Sequence, residues 1–446
     1  MSWPLVRLGD LGRWFGGGTP SKSRAEYWSD GTVPWLSPKD MRSEVLTGTQ
    51  DRITEAAVQN SAVRLVPAGA VAVVMRSGIL ERTLPVAVVP FATTLNQDMK
   101  ALSPRTGVDA RWVAWALRSI EHRVFREARK AGTTVASIEA TRLMDQRIPL
   151  PEEREQRRIV ATLEEHLSDL DAAAAGLARV ERRSATLIDS VLRKGFSGVL
   201  FEDDLSEGSG ADLVLRITGR EPSADGHPGY PKWATAKLGD LFEVSVGATP
   251  SRGSRELWSG DLPWVSSGEV AFNRITATKE TIHRAAAGSP TSRIHPAGTV
   301  LLAMIGEGKT RGQAAILDIE AAHNQNCASI RVGRTPILPE YVYYFLKRRY
   351  VETRSAASGG NQPALNKARV QAIEMPVAPL ATQRRLVTAF DSVTSASGRL
   401  VAATDRSRRK GESVRRALLA AAFSGRLTGR GSDIDVISEL AEEESA

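Results

Sequence analysis

Two kinds of apolar pattern organise the chain. Ala70–Met75 and Thr299–Ile305 are short, continuous apolar runs, which predict strands buried on both faces. Leu84–Pro90 and Ala314–Ile319 each follow a polar turn and predict the neighbouring strands. Arg111–Arg118 and Tyr341–Arg348 predict short helices. The second pattern is long and periodic. Leu163, Leu170, Leu177 and Val191 keep a seven-residue spacing, and Ile159, Ala173, Val180 and Leu187 fill the companion position. This predicts a helix of about 38 residues, roughly 57 Å long, with a coiled-coil seam over about five heptads. A weaker pattern recurs at Leu386, Phe390, Val393, Leu400, Val414 and Leu418. There Gly398 and Gly411 each cost about 1 kcal/mol relative to Ala, so a bend or fray is expected.

The recurrence extends to the whole chain. Trp3-Pro-Leu-Val-Arg-Leu-Gly-Asp-Leu11 matches Trp233-Ala-Thr-Ala-Lys-Leu-Gly-Asp-Leu241, and Gly17-Gly-Thr-Pro-Ser21 matches Gly247-Ala-Thr-Pro-Ser251. Trp28 and Trp35 match Trp258 and Trp264, and Asn96-Gln97 matches Asn324-Gln325. Gln156-Arg-Arg158 matches Gln383-Arg-Arg385, and Phe196-Ser-Gly198 matches Phe423-Ser-Gly425. The offset falls from 230 to 227 between matches, as surface loops of varying length allow. The chain is therefore a tandem duplication of a globular part and a long helix.

The expected fold class is α+β. Two mixed α/β recognition domains are each followed by a long helix, and the two helices pair as an antiparallel coiled coil with pseudo-twofold symmetry. The expected boundaries are 1–150 for the first domain, 151–198 for the central helix and 199–231 for a flexible linker rich in Gly, Pro and acids. The second domain follows at 232–376, the C-terminal helix at 377–426 and an acidic tail at 427–446.

Composition narrows the function classes. The 446 residues are 42% hydrophobic and 25% charged, which excludes a wholly disordered chain. A single Cys327 excludes an intramolecular disulfide, and six scattered histidines give no metal-ligand spacing. No apolar run reaches the length of a membrane span, and Met1-Ser2-Trp3-Pro4 has no signal-peptide features, so a cytoplasmic protein is expected. Net charge is +8, and Asp433–Ala446 carries six acids and no base, so the remainder stands at +14. A basic body suggests a polyanionic partner, most simply nucleic acid. Residues 152–194 hold eight bases and nine acids, whereas residues 383–430 hold eleven bases and three acids. Two similar readers separated by a rod would address DNA half-sites at a fixed spacing.

The chain resembles the specificity subunit of type I restriction–modification enzymes. The resemblance rests on Leu8-Gly-Asp10, Gly17–Ser21, Tyr27-Trp28, Pro34-Trp35, Asn96-Gln97 and Pro149–Val160, on their second copies, and on their order. It implies that each globular domain reads one half of a split target in double-stranded DNA. It further implies that the helices dock two adenine methyltransferase subunits and that a nuclease–translocase subunit completes the complex. The subunit itself would be no enzyme, with no catalytic residue, cofactor or metal. A scaffold whose helices bind a protein partner, with incidental basic charge, is the alternative.

The candidate DNA-binding residues are Thr19, Ser21, Lys22 and Arg24 in the first Gly-rich loop, and Thr249, Ser251, Arg252 and Arg255 in the second. Backbone amides, hydroxyls and bases of such loops position phosphates. Arg76 and Arg82, with Lys309 and Arg311, are candidates at hairpin tips. Gln156, Arg157, Arg158, Gln383, Arg384 and Arg385 open the long helices and are candidate methyltransferase-docking residues. The matched tryptophans read as core anchors. Asn96-Gln97 and Asn324-Gln325 are chemically able to contact adenine, but identical residues do not suit two different half-sites, so a structural role is expected. Ala303–Thr310 imitates a phosphate loop, yet a turn into a strand follows where a phosphate loop needs a helix. No Asn-Pro-Pro or Asp-Pro-Pro methyltransferase signature occurs.

Overall fold

The computed structural model describes residues 3–130, 135–222, 230, 232–287, 293–306, 309–355, 365–427 and 433–443. The chain divides into two compact units, Met1–Ala178 with Thr404–Ala446, and Arg179–Ala403. Each unit thus contains one globular domain and parts of both long helices.

The first domain runs through β1 (Leu5–Arg7), β2 (Gly12–Gly16), β3 (Val33–Leu36), β4 (Asp51–Ile53), α1 (Glu55–Asn60), β5 (Ala70–Val74), β6 (Val86–Val89), β7 (Thr94–Leu95) and β8 (Met99–Pro104). Helices α2 (Ala110–Ser119), α3 (Glu121–Ala128) and α4 (Ala140–Asp145) and strand β9 (Arg147–Pro149) complete it. One sheet has the order β2-β8-β5-β6, with Val71 opposite both Val88 and Leu102. Strand β5 is buried along its whole length, as its unbroken apolar run predicts. A second sheet, β4-β3-β7, lies beside it in sequence and topology. Strand β1 pairs with β9, with Leu5 opposite Pro149, and closes the domain next to the long helix α5 (Glu153–Phe196).

After α5 come α6 (Gly210–Thr218), β10 (Thr235–Lys237), α7 (Leu238–Leu241), β11 (Glu243–Val246), β12 (Leu262–Val265), β13 (Asn273–Ile275) and β14 (Glu280–Ile282). Then follow β15 (Val300–Ala303), β16 (Ala314–Leu317), β17 (Ala322–His323), β18 (Cys327–Arg331), α8 (Pro339–Ser355), α9 (Lys367–Gln371) and β19 (Glu374–Pro376). The chain ends with α10 (Leu380–Ser424) and α11 (Asp433–Glu443). The second domain repeats the first: β11-β18-β15-β16-β13, β14-β12-β17 and the closing pair β10-β19.

Both domains are tied to the long helices by one aromatic device. Asp109 caps α2, and Trp112, fully buried, donates its indole N–H to Pro149 O at 2.9 Å. Phe423, from the end of α10, packs on Trp112 at 4.6 Å. In the second unit Tyr341 donates its hydroxyl to Pro376 O at 3.0 Å, and Phe196, from the end of α5, packs on it at 5.1 Å. The matched Phe-Ser-Gly segments are therefore the points where each helix returns to a domain.

Helix α10 is continuous through Gly398 and Gly411, so the chain does not fray there. In the second unit the helices run antiparallel: Ser184 meets Ser397 at 2.6 Å, and Gly195 lies against Phe390. The apolar seam is less regular than its heptads suggest. Ile159, Leu163, Leu386, Phe390 and Leu418 are buried, but Val180 and Leu187 are exposed, as is Leu400. Between Val180 and Leu187 in sequence, it is the buried Ser184 that meets α10.

The stretch expected to be a flexible linker is ordered over its described residues. Ser209 and Asp212 form a capping box at the start of α6, and Leu213 and Val214 are buried in the second unit. Its first residue, Gly210, sits against Val377 O, where a Cβ would have no room. The acidic tail also carries a helix, α11, with Ile437 and Ala441 buried.

The cores differ at one place. Val66 and Leu95 of the first domain are replaced by His295 and His323, which make the corresponding backbone contacts. The two rings lie 4.9 Å apart, and Ser329 bonds His295 Nε2 at 3.3 Å. His295 Nδ1 and His323 Nε2 have no hydrogen-bond partner among the described residues. Burial pushes His295 down to about 3, with the neighbouring His323 adding to the effect, and burial pushes His323 down to about 4. The unfolded chain therefore binds more protons than the folded chain below about pH 6.5, so stability falls as pH falls towards these values. Hydrogen exchange at decreasing pH should show the second domain opening before the first. H295V/H323L should reduce that difference; an unchanged difference would assign it to other groups. G398A and G411A, where a Cβ meets nothing, should each raise stability by about 0.5–1 kcal/mol in thermal denaturation.

Candidate nucleic-acid interface

The Gly-rich loop after β2 is held from beneath by two tryptophans. Trp35 donates to Gly18 O at 3.0 Å and Trp28 to Ser21 O at 3.2 Å, with the two rings edge to face at 5.1 Å. The second domain repeats this arrangement: Trp264 donates to Ala248 O at 3.2 Å, Trp258 to Ser251 O at 3.1 Å, and the rings lie 4.9 Å apart. A tryptophan suits this position because it buries a large ring and still offers one donor to a loop carbonyl. Gly17 and Gly247 are required by close approach: a Cβ would lie 1.7 Å from Asn96 O and 1.9 Å from His323 O. Gly18 has ordinary space around its Cα, which explains why Ala248 can replace it.

Fixed in this way, Thr19, Ser21, Lys22 and Arg24 are all exposed, as are Thr249, Ser251, Arg252 and Arg255. Thr19 donates to the side-chain carbonyl of Gln97, and Thr249 to that of Gln325. The preceding asparagines serve the turn. Asn96 Oδ1 accepts from Asp98 N at 2.7 Å, and Asn324 Oδ1 from Asn326 N at 3.1 Å. The Asn of each pair is thus structural, while the Gln is exposed beside the loop threonine. The Asn-Gln spacing along the chain does not distinguish the two residues. Only the folded loops separate the two roles.

The hairpin tip joins the same cluster in the first domain. Asp98 O accepts from Met75 N at 2.7 Å, and the Asp98 carboxylate pairs with Arg76 at 2.7 Å. Arg82 is exposed on the same tip. In the second domain Met304 N donates to Asn326 O at 2.8 Å, and Lys309 O accepts from Tyr350 at 2.6 Å. Lys309 is exposed, but Arg311 is half-buried, with its Nε shielded and without a hydrogen-bond partner among the described residues. The turn at Thr310–Gly312 leads into β16, so the phosphate-loop imitation has no helix behind it. Glu307 and Gly308 of that segment lie outside the described residues.

The two loops differ in charge availability. Lys22 is exposed, whereas its counterpart Arg252 stacks 3.7 Å above Trp258 and pairs with Glu280 at 3.0 Å. The hydrogen bond from Arg252 holds the Glu280 carboxyl below its ordinary range. Arg24 donates to the Tyr27 hydroxyl at 2.7 Å.

At the helix starts two of the docking candidates need correction. Gln156 and Gln383 are fully buried and present no surface to a partner. Gln156 donates to Pro151 O at 2.8 Å and Gly107 O at 3.1 Å, and accepts from Asp109 N at 2.8 Å. Gln383 donates to Ala378 O at 2.8 Å and accepts from Leu338 N at 3.3 Å. A buried amide makes this many bonds because each unmet one is costly. The arginines are exposed. Arg157 pairs with Glu153 on its own helix and with Asp109 at 3.9 Å, and Arg158 pairs with Glu155 at 3.6 Å. Arg384 pairs with Glu207, while Arg385 donates to Glu202 O at 3.2 Å and lies over Phe201. The second pair is thus engaged by the segment between the domains.

Two copies of a loop-bearing α/β domain, each leading into a long helix, define a duplicated specificity-domain architecture. The family model described as type I restriction modification DNA specificity domain matches residues 2–182 and 230–401, and the chain belongs to that family. The specificity subunit of the EcoR124I/EcoR124II type I restriction enzyme of Escherichia coli is 41% identical over 172 residues, 39% of this chain and 43% of that protein. The chain thus matches less than half the length of that relative. The MjaIX specificity subunit of Methanocaldococcus jannaschii is 20% identical over 366 residues, 81% of this chain and 80% of that protein. Both relatives are specificity subunits. A chain from a structure of a type I restriction–modification system shares the fold at a TM-score of 0.71 and 17% identity, covering 95% of this chain and 98% of that one. The HsdS subunit from Thermoanaerobacter tengcongensis does so at 0.53 and 18%, covering 95% and 97%.

Removing the buried amide in Gln156→Leu should destabilise the first unit by about 2–3 kcal/mol, because it strands backbone groups that the amide now satisfies. Urea denaturation followed by hydrogen exchange tests this; a loss under about 0.5 kcal/mol would show that these bonds are replaceable.

Proposed function

We propose that this chain is the sequence-reading subunit of a type I restriction–modification system. It binds a bipartite target in double-stranded DNA through its two domains, one half-site each, and docks two copies of an adenine methyltransferase subunit on its helices. A nuclease–translocase subunit joins the same complex. The observation that carries the reading is the duplicated loop: Thr19 with Gln97 and Thr249 with Gln325, each anchored by two tryptophans and flanked by exposed bases.

The shared parts of the loops suit contacts that are the same on both halves. Hydroxyls, backbone amides and bases hold phosphates without reading sequence. Residues that differ between the domains at the hairpin tips, such as Arg76 and the Lys309 turn, are where the half-sites would be told apart. The helix-start arginines Arg157, Arg158, Arg384 and Arg385 remain the candidates for contact with the methyltransferase.

Co-expression with the cognate methyltransferase, followed by single-molecule mapping of methylated adenines, tests the proposal. A split motif with two defined halves is expected. No methylation by a soluble complex supplied with methyl donor would overturn it. Exchanging residues 1–150 for a homologous domain should change one half of the motif only. K22A should weaken DNA binding by about 3- to 10-fold at low salt and reduce the salt slope by about one, without altering the methylated motif. An altered motif would make Lys22 a base-reading residue.

A further inference from the structure

Beside the shared Thr–Gln pair, the two domains carry different chemistry at one matched position. Arg76 follows Met75, whose N–H bonds Asp98 O at 2.7 Å, and Ile305 follows Met304, whose N–H bonds Asn326 O at 2.8 Å. Arg76 and Ile305 therefore hold the same place in the two loop clusters, and both are exposed. In the first domain a run of bonds leads from the loop to Arg76. Thr19 donates to Gln97 Oε1, Gln97 Nε2 donates to Asp98 Oδ2 at 3.4 Å, and Arg76 Nε donates to Asp98 Oδ1 at 2.7 Å. Asp98 is itself fixed by its backbone. Its N–H donates to Asn96 Oδ1 at 2.7 Å, and its carbonyl accepts from Met75 N at 2.7 Å and Arg76 N at 3.2 Å. The Asp98 side chain is 22% exposed and that of Arg76 56%. The two terminal nitrogens of Arg76 carry no hydrogen bond to the described residues. In the second domain Ile305 and Asn326 supply neither the guanidinium nor the carboxylate.

We infer that Arg76 reads a guanine in the first half-site, and that Asp98 is the residue that positions it. The inference rests on the reading of the chain as a DNA-specificity subunit with one half-site per domain. A guanidinium fits either a phosphate or the O6 and N7 edge that guanine shows in the major groove. Two observations favour guanine. Asp98 offsets the charge that draws a phosphate and would itself be repelled by one, whereas the guanine edge asks for two donors in a set direction. Because the carboxylate takes Nε, the planar fork is held in orientation while both terminal nitrogens stay available. The second observation is that the position differs between the domains. The Thr–Gln pairs are the same in both, as suits contacts that position the backbone, but Ile305 has no group to hold a phosphate. An exposed isoleucine suits the methyl group of thymine and offers no donor to guanine. At this one place the first domain selects guanine and the second does not.

The test uses the full chain in complex with its cognate methyltransferase. Mapping of methylated adenines gives the wild-type motif, and exchange of residues 1–150 identifies the half read by the first domain. Fluorescein-labelled duplexes then carry that motif with each guanine of this half replaced in turn, by 7-deazaguanine, which lacks N7, or by adenine with its pair. Anisotropy reads the affinity. Replacing one of these guanines by adenine should weaken wild-type binding by about 5- to 150-fold, and 7-deazaguanine at the same place should also weaken it. R76I, which installs the residue of the matched position, and R76Q should bind the original and replaced duplexes within about 2-fold of each other. D98N should lose most of the preference without losing affinity for a random duplex, and its salt slope should steepen by about one as Arg76 turns to a phosphate. A D98N protein that weakens on all duplexes alike would overturn the positioning role. A first half without guanine, or wild-type indifference to every 7-deazaguanine, would overturn the inference. So would R76I and R76Q proteins that keep the preference and weaken on all duplexes alike; Arg76 would then be a phosphate contact and the proposed function would stand. No split motif from the wild-type complex would overturn the proposed function itself. Hydrogen exchange of the first unit in each variant controls for folding.

Discussion

The return of each long helix to a globular domain is the contact on which the rest depends. Phe423 reaches Trp112 in the first unit, and Phe196 reaches Tyr341 in the second. In both cases the receiving aromatic ring also bonds the carbonyl of the proline that ends the strand before a long helix. One buried ring thus fixes where a helix leaves its domain and where the other helix arrives. Packed aromatics of this size contribute most of the energy at such a junction and tolerate little displacement.

From that junction outwards, the structure separates rigid support from exposed chemistry. The tryptophan pairs, the close-approach glycines and the turn asparagines hold the Gly-rich loops. The threonines, glutamines and bases that remain at the surface are then presented from a fixed backbone. This division accounts for the residues shared by both domains: most of them support the loop rather than contact a ligand. The buried Gln156 and Gln383 follow the same logic at the helix starts, where a side-chain amide replaces missing backbone partners.

The duplication is not carried through evenly. His295 and His323 stand where the first domain has Val66 and Leu95, so the second core carries a polar inclusion that the first lacks. The segment between the domains binds Arg384 and Arg385, whereas Arg157 pairs with Glu153 and with Asp109 of its own domain. The tail helix belongs to the first unit alone. Duplicated halves that share a loop scaffold have thus diverged in core chemistry and in what covers their helices.

Much of this was legible in the sequence, because repeated motifs and apolar periodicity depend on local spacing alone. The α+β class, the tandem domains, the strands β5 and β15, the two long helices and the anchoring tryptophans all follow from it. The tertiary structure decided what local spacing does not encode. It kept α10 continuous through two glycines, because neither substitutes for a packed side chain, and the neighbouring turns continue the helix. It left Val180 and Leu187 exposed despite their heptad positions, while Ser184 between them is buried and bonded to Ser397. It turned a polar linker into a capped helix on the second unit and bonded a tail helix to Ser413 of α10. Burial and partner choice are set by residues far away in the chain, and no pattern along the chain contains them.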